Sequence, residues 1–330
     1  MNASNFASLI QRFFTERLPG EGAASHTVAG YRDTFRLLFR FASKQLGREP
    51  SQLRIEDLDA SFLEKFLEHL ELQRGNCPRT RNNRLSALHT FFRYVALCEP
   101  ALALHCQRVL ALPTKRGERS QVEFLTEEEV AAILKAPDLT TWIGRRDRAL
   151  LLLAAQTGLR NSEIRSLRRQ DVELGTGPHV RCFGKGRKKR CTPLRPDVAA
   201  VLKEWLSQQC EDPKYPLFPS AQGRHLSSDA IQRLVARHVT TARRSCLSLT
   251  EKTVTPHTFR HSLAMNLLHH GVDLSVIAIW LGHESTETTQ IYLHADMRLK
   301  EKALAHASSN GLVPSRFHPP DPLLAFLESL

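Results

Sequence analysis

Hydrophobic positions in the first hundred residues recur at helical spacing. Phe6, Leu9, Ile10, Phe13 and Phe14 lie three and four apart and predict a helix over 5–18. Ser25 is placed to cap a second helix. Val28, Tyr31, Phe35, Leu38, Ala42 and Leu46 share one face of it, and Gly47 is its stop. A third helix fits from Asp59 to about Leu72, broken by Gly75-Asn76-Cys77-Pro78. A fourth runs from about Thr80 to Cys98 with Leu85, Leu88, Phe92 and Val95 inward. No alternating pattern precedes residue 110, so residues 1–112 read as an all-helical bundle of four or five helices.

Residues 113–121 are charged and aperiodic, and read as a linker. Beyond them Thr126-Glu127-Glu128-Glu129 is a capping box, and Arg145 to Gln156 is an apolar core helix. The period then changes. Val180 to Phe183, a glycine turn at Gly184-Lys185-Gly186, and Arg190 to Leu194 predict a hairpin. Helices resume near Pro196, Ser228, His257 and Leu274. The fold class is therefore mainly α with a small antiparallel sheet, in two domains, 1–112 and 122–308. A tail, 309–330, carries Leu323, Leu324, Phe326, Leu327 and Leu330 after Pro319-Pro320.

Composition narrows the functional classes. The longest apolar run, Ala149 to Ala155, is far short of the roughly 20 residues a membrane span needs. The start, Met1-Asn2-Ala3-Ser4-Asn5, lacks a signal core. Seven scattered cysteines without a CxxC pair argue against a disulfide scaffold or zinc ribbon and place the chain in a reducing cytosol. The charge is the anomaly: the chain carries +12. Both putative domains share it, so a polyanion touched by both is the expected partner, with nucleic acid first.

No nucleotide-binding glycine loop, HExxH or GxSxG occurs, and no metal spacing stands out among fifteen histidines. His269-His270 reads as a helix C-terminal cap. What remains is a series of basic residues in unusual settings. Arg160 follows Gly158 where a helix can begin, fit to reach a phosphate, or equally to sit on the surface beside a cap. Six of the ten residues from 181 to 190 are basic, with Lys185 between two glycines. That hairpin tip can approach a polyanion, or can simply be solvated. His257 and Arg260 are three apart and share a helical face, as a capped helix start would also arrange them. His283 follows Gly282, and Tyr292 sits in an amphipathic stretch where packing alone would explain it. Taken in order, two arginines, a lysine, two histidines and a tyrosine suit metal-free phosphodiester chemistry.

Four motifs, TGLRxSEI, GKGxKxR, HxxRHS and LGHxSxxTTQIYxH, occur in this order over residues 157–294. The chain closely resembles the tyrosine recombinase (phage integrase, Xer-like) family over residues 5–308. The resemblance implies a helical, SAM-like core-binding domain followed by the catalytic domain, together forming a clamp around double-stranded DNA. It implies Tyr292 as nucleophile forming a 3′-phosphotyrosine, and Arg160 and Arg260 as clamps on the scissile phosphate. Lys185 would be the general acid, His257 the general base and His283 a phosphate ligand, with Glu163 orienting its neighbours. It implies two strand exchanges through a Holliday junction, no cofactor and no metal. The assembly would be a homotetramer, or a hetero-oligomer with related recombinases, bound to the nucleoid and not to membrane.

Arg79, Arg81 and Arg84 open the fourth predicted helix and are expected to lie along a DNA groove, joined by Arg187 and Lys188 of the hairpin. The apolar tail is expected to dock on a neighbouring protomer, a cis-packed tail being the alternative. A mobile-element recombinase, for integration or transposition, is the leading role. Chromosome dimer resolution, a type IB topoisomerase and a non-catalytic DNA-binding protein are the other readings.

Overall fold

The computed structural model describes residues 6–116, 123–184 and 189–282, together with Thr289 and Tyr292. The chain divides into two compact units, Met1–Ser120 and Gln121–Leu330.

The first unit is helical throughout its described residues. Helix α1 (Phe6–Arg12) passes through a π turn, Phe13–Arg17, into the short α2 (Leu18–Gly20). Helix α3 (Ser25–Leu46) begins at Ser25 itself; the N-cap is Ala24, without a side-chain bond, so Ser25 is not the cap the sequence pattern suggested. Its end is as expected, with Gly47 at φ 65°. Helix α4 (Ala60–Leu72) is capped by Asp59, which accepts from the Phe62 N–H at 2.7 Å. Helix α5 (Pro78–Cys98) starts on a proline, whose missing N–H costs nothing in a first turn. Helix α6 (Ala103–Leu110) fits the expected four or five helices, though the pattern did not place it. The aromatic positions meet at the centre. Phe91 stands edge-on to Phe35 at 5.1 Å and to Phe13 at 5.3 Å. Such pairs add about 0.5–1.5 kcal/mol beyond the area they bury.

The second unit is built on α8 (Trp142–Thr157), whose Ala149, Leu150, Leu151 and Leu153 are fully enclosed. Around it lie α7 (Glu127–Lys135), α10 (Pro196–Ser207) and α12 (Pro256–His269). The remaining helices are α9 (Asn161–Ser166), α11 (Ser228–Ala242) and α13 (Leu274–Leu281). The expected capping box opens α7, with Thr126 Oγ1 accepting from Glu129 N and Glu129 Oε2 accepting from Thr126 N. The hairpin is β2 (His179–Phe183) with β3 (Lys189–Pro193), and a short strand not foreseen, β1 (Val172–Glu173), completes an antiparallel sheet in the order β1-β2-β3. Its register sets Cys182 opposite Arg190 and Phe183 opposite Lys189. Alternation along β3 then turns Arg190 and Thr192 inward while Lys189 and Cys191 face water.

Candidate active site

The site starts where α8 stops. Gly158 closes that helix at φ 61°, a conformation that favours glycine. A Cβ there would lie 2.8 Å from Leu281 Cδ2 and 3.0 Å from Leu263 Cδ2, so the chain turns in direct contact with α12 and α13. Arg160 is thereby the N-cap of α9, and Glu163, at the third helical position, accepts from the Arg160 backbone N–H at 2.7 Å. The same carboxylate accepts from Arg160 Nη1 at 3.0 Å and from Arg190 Nη2 at 2.7 Å.

Arg260 reaches the same place from α12. Its Nη1 donates to Gly158 O at 2.8 Å and its Nη2 to Leu281 O at 2.7 Å. Arg160 Nη2 donates to the next carbonyl, Gly282 O, at 2.9 Å, and Arg190 Nη1 to the preceding one, Trp280 O, at 3.3 Å. Three guanidiniums thus gather on the last carbonyls of α13, groups a helix leaves unpaired and a cation neutralises. Among the described residues Glu163 is the one carboxylate bonded to them. Burial, with Arg160 and Arg190 beside it, lowers Arg260 to about 10. It stays protonated at neutral pH, in a spot where positive charge is in surplus. Arg160 and Arg260 each commit two of five N–H donors to these bonds.

Tyr292 stands beside them, 1% exposed, among Ala264, Met265, Leu268, Ile277 and Leu281. Its hydroxyl lies 2.9 Å from Nδ1 of His261. Burial pushes the phenol up to about 12 against the pull of Arg260 and Arg160. His261 is pushed down to about 4 by burial and by its neighbours His257 and Arg260. A neutral imidazole therefore faces a neutral phenol. His257 is one turn earlier on α12, its ring centroid 4.5 Å from that of His261.

The structure brings together Arg160, Glu163, His257, Arg260 and Tyr292. It adds two residues that sequence reasoning passed over. His261 carried the signal of lying one helical turn from His257, and Arg190 that of the inward strand alternation. The histidine ring nearest the tyrosine hydroxyl is His261, with His257 packed against it one turn earlier. Lys185, Arg187, Lys188 and His283 lie outside the described residues.

In the first unit the three expected DNA arginines part company. Arg79 is exposed. Arg81 is 4% exposed, contrary to its expected place along a groove: its Nη1 donates to Pro113 O at 2.8 Å and pins the chain that leaves the bundle. Arg84 is half-buried and donates to Gly30 O and Thr34 Oγ1, at 3.2 and 3.1 Å, tying α5 to α3.

Among the described residues no set of three or more His, Cys, Asp or Glu side chains could hold a metal, and no helix is long and apolar enough to cross a membrane. An apolar groove of about 560 Å³ runs beside α7 and α12, lined by Val130, Leu134, Leu152, Leu263 and Trp280.

Comparison with known proteins places the whole chain. Residues 123–298 match the phage integrase family and residues 10–97 match the phage integrase N-terminal SAM-like domain. The integrase/recombinase y4rC of Sinorhizobium fredii is 50% identical over 328 residues, 99% of both chains. Tyrosine recombinase XerC of Rhodospirillum centenum is 36% identical over 283 residues, 83% of this chain and 79% of that one. Among solved structures, the XerH site-specific recombinase in a post-cleavage complex on a palindromic difH substrate superposes with a TM-score of 0.67. It is 22% identical and the match covers 92% of this chain and 85% of that one. The Tn1549 transposon integrase with circular intermediate DNA gives a TM-score of 0.66 at 16% identity, over 90% and 98% of the two chains.

Proposed function

This chain belongs to the phage integrase family of tyrosine recombinases, enzymes that cleave and rejoin DNA, and we propose that Tyr292 is its nucleophile and that Arg160 and Arg260 hold the reacting phosphate. One observation carries the reading. Two arginines from different helices converge on adjacent carbonyls of the segment that leads to Tyr292.

In the step envisaged, Tyr292 Oη forms a bond to phosphorus and the P–O5′ bond breaks. The phenolic proton passes to a histidine, and the departing oxygen takes a proton from Lys185. His261 Nδ1 lies 2.9 Å from the phenol in the described arrangement, and His257 remains the proposed general base. The guanidiniums stabilise the charge that grows on the non-bridging oxygens, the role preorganised donors serve best. The 3′-phosphotyrosine keeps the energy of the broken bond. A free 5′-hydroxyl can therefore reverse the step on the same or another duplex without a nucleotide cofactor. In the described arrangement the phenol is enclosed, so it must leave its apolar seat to meet DNA.

The partner is double-stranded DNA, with Arg79, Arg187 and Lys188 as the proposed backbone contacts. The proposed assembly is a tetramer, a homotetramer or one shared with related recombinases. The groove beside α12 supports a seat for the apolar tail of a neighbouring protomer. A mobile-element role is favoured by the likeness to y4rC along the full length.

The test uses nicked duplexes bearing the site that the protein selects from a randomised pool. Wild type is expected to form a covalent protein–DNA adduct that Tyr292→Phe cannot form, and to transfer the cleaved strand to a second duplex. An adduct that persists in Tyr292→Phe removes Tyr292 as nucleophile. Adduct without transfer between duplexes points to a topoisomerase.

A further inference from the structure

Arg190 has no part in the step described above, yet it touches the elements that carry it. Its side chain is 12% exposed. Its Nε donates to Cys182 Sγ across the hairpin at 3.1 Å, its Nη2 to Glu163 at 2.7 Å and its Nη1 to Trp280 O at 3.3 Å. These partners stand on β2, on the first turn of α9 and at the end of α13. A guanidinium is planar and its donors form a rigid fork. Three partners on three elements therefore fix the plane of the group as well as its charge. Gly282, at φ 65°, lies flat on it, where a Cβ would come within 2.5 Å of Arg190 Nη1. Gly282, the C-cap of α13, thus packs directly against this side chain. On the other side, the Phe183–Lys189 pair, one residue nearer the turn than Arg190, is the last rung of the ladder before the connection that contains Lys185.

We propose that Arg190 is a positioning residue for strand cleavage. It ties the described root of the hairpin, next to the Phe183–Lys189 rung, to Glu163, the carboxylate that also holds Arg160, and through that root it serves Lys185. The claim rests on Lys185 as the general acid. Its consequence is chemical: without the anchor, protonation of the leaving 5′-oxygen becomes limiting while attack by Tyr292 does not.

Leaving-group chemistry separates this role from a structural one. When sulfur replaces the bridging 5′-oxygen, a thiolate departs, and with thiol pKa values near 8.5 it needs no acid. The experiment compares cleavage of nicked, site-selected duplexes containing oxygen or sulfur at that position. The proteins are full-length wild type, Lys185→Ala, Arg190→Gln and Arg190→Lys. Lys185→Ala is expected to lose about 10²–10⁴-fold on oxygen, the range for a general acid, and to recover on sulfur. Arg190→Gln is expected to lose roughly 100-fold on oxygen, as a displaced catalytic group does, and to cleave sulfur at close to the wild-type rate. Arg190→Lys keeps the charge and loses the fork, and should fall between wild type and Arg190→Gln; it carries the same comparison if the glutamine variant does not fold.

Equal losses on oxygen and sulfur would mean that Arg190 acts through Arg160 or through the fold, and would overturn the proposal. So would wild-type cleavage of the oxygen substrate by Arg190→Gln. If Lys185→Ala is impaired alike on both substrates, Lys185 is not the acid and the proposal falls with it. The adduct dependent on Tyr292 would still stand as the evidence for recombinase chemistry.

Discussion

Glu129 and Glu163 occupy the same local position and serve opposite ends. Each is the third residue of its helix, each accepts from the backbone N–H of its own N-cap residue, and each is nearly inaccessible to water. Around Glu129 the charges balance. Lys252 Nζ donates to it at 2.7 Å and the Ser248 hydroxyl at 2.6 Å. The contact joins α7 to the turn before α12. Around Glu163, among the described residues, they do not balance: Arg160 and Arg190 bond it, and Arg260 beside them has its basicity lowered by burial and then by their charges. One capping device thus yields a closed ion pair in one place and, among the described residues, a surplus of guanidiniums over carboxylates in the other. A protein gains nothing from unpaired buried cations unless a ligand supplies the missing charge.

The largest effect follows from removing a cation on the surplus side. Arg160→Gln should lower adduct formation on a nicked, site-selected duplex by about 10²–10³-fold, the loss typical of one oxyanion-stabilising donor. Its effect on the urea midpoint should be minor, because the Arg160 side chain is partly open to water, at 31% exposure. A collapse of stability to match the activity would make Arg160 a second Lys252 and erase the contrast.

The two glutamates can be set against each other directly. Glu129→Gln should cost about 3 kcal/mol in urea unfolding, the low end for breaking a buried pair, since Lys252 is itself partly exposed. Inorganic phosphate should not restore it. Glu163→Gln should also destabilise, but it leaves the guanidiniums without their carboxylate. Phosphate at ten times its dissociation constant should then return about 1.4 kcal/mol. Equal phosphate responses in the two variants would deny that the arginine cluster is an anion site.

Acid sharpens the same pair. Burial works to raise the Glu129 carboxyl, but the bonds from Lys252, Ser248 and Thr126 outweigh it and hold it below the ordinary 4.5. A carboxyl depressed by folding contributes its stability in full above its unfolded value, and the contribution fades as pH falls through the folded one. The stability gap between wild type and Glu129→Gln should therefore be constant above pH 4.5 and shrink below it.

How much of this was legible beforehand depended on whether a signal was local. Helix ends were, because Gly47, Asp59, Thr126 and Gly158 act on their own neighbours. The four family motifs were legible as an ordered set of residue types. The cluster on the carbonyls of 280–282 was not, since it joins residues more than a hundred positions apart, as Gly158 O and Gly282 O do through Arg260 and Arg160. Arg81 shows a signal that was present and outweighed. It stands four residues before Leu85 and seven before Leu88, on the face of α5 whose apolar members fill the core. An arginine on that stripe buries its stem and spends its head on a carbonyl. Its charge pointed to DNA while its periodicity pointed inward, and the packing followed the periodicity.

The smallest effect tests that last distinction and carries the contrast between balanced and available cations into the first unit. Arg79 and Arg81 are two residues apart on one helix, so they point to different sides of it. The exposed Arg79 is the cation available to a phosphate, whereas Arg81 is spent on Pro113 O. Each phosphate contact a protein makes adds about one unit to the slope of log affinity against log salt. Arg79→Ala should therefore lower that slope by about one on the selected duplex. Arg81→Ala should leave the slope unchanged and act on folding, because it frees a carbonyl that nothing else among the described residues is seen to bond. If Arg81→Ala removes the same unit of slope, the inward arginine leaves its carbonyl to meet DNA, and the division between the two residues fails.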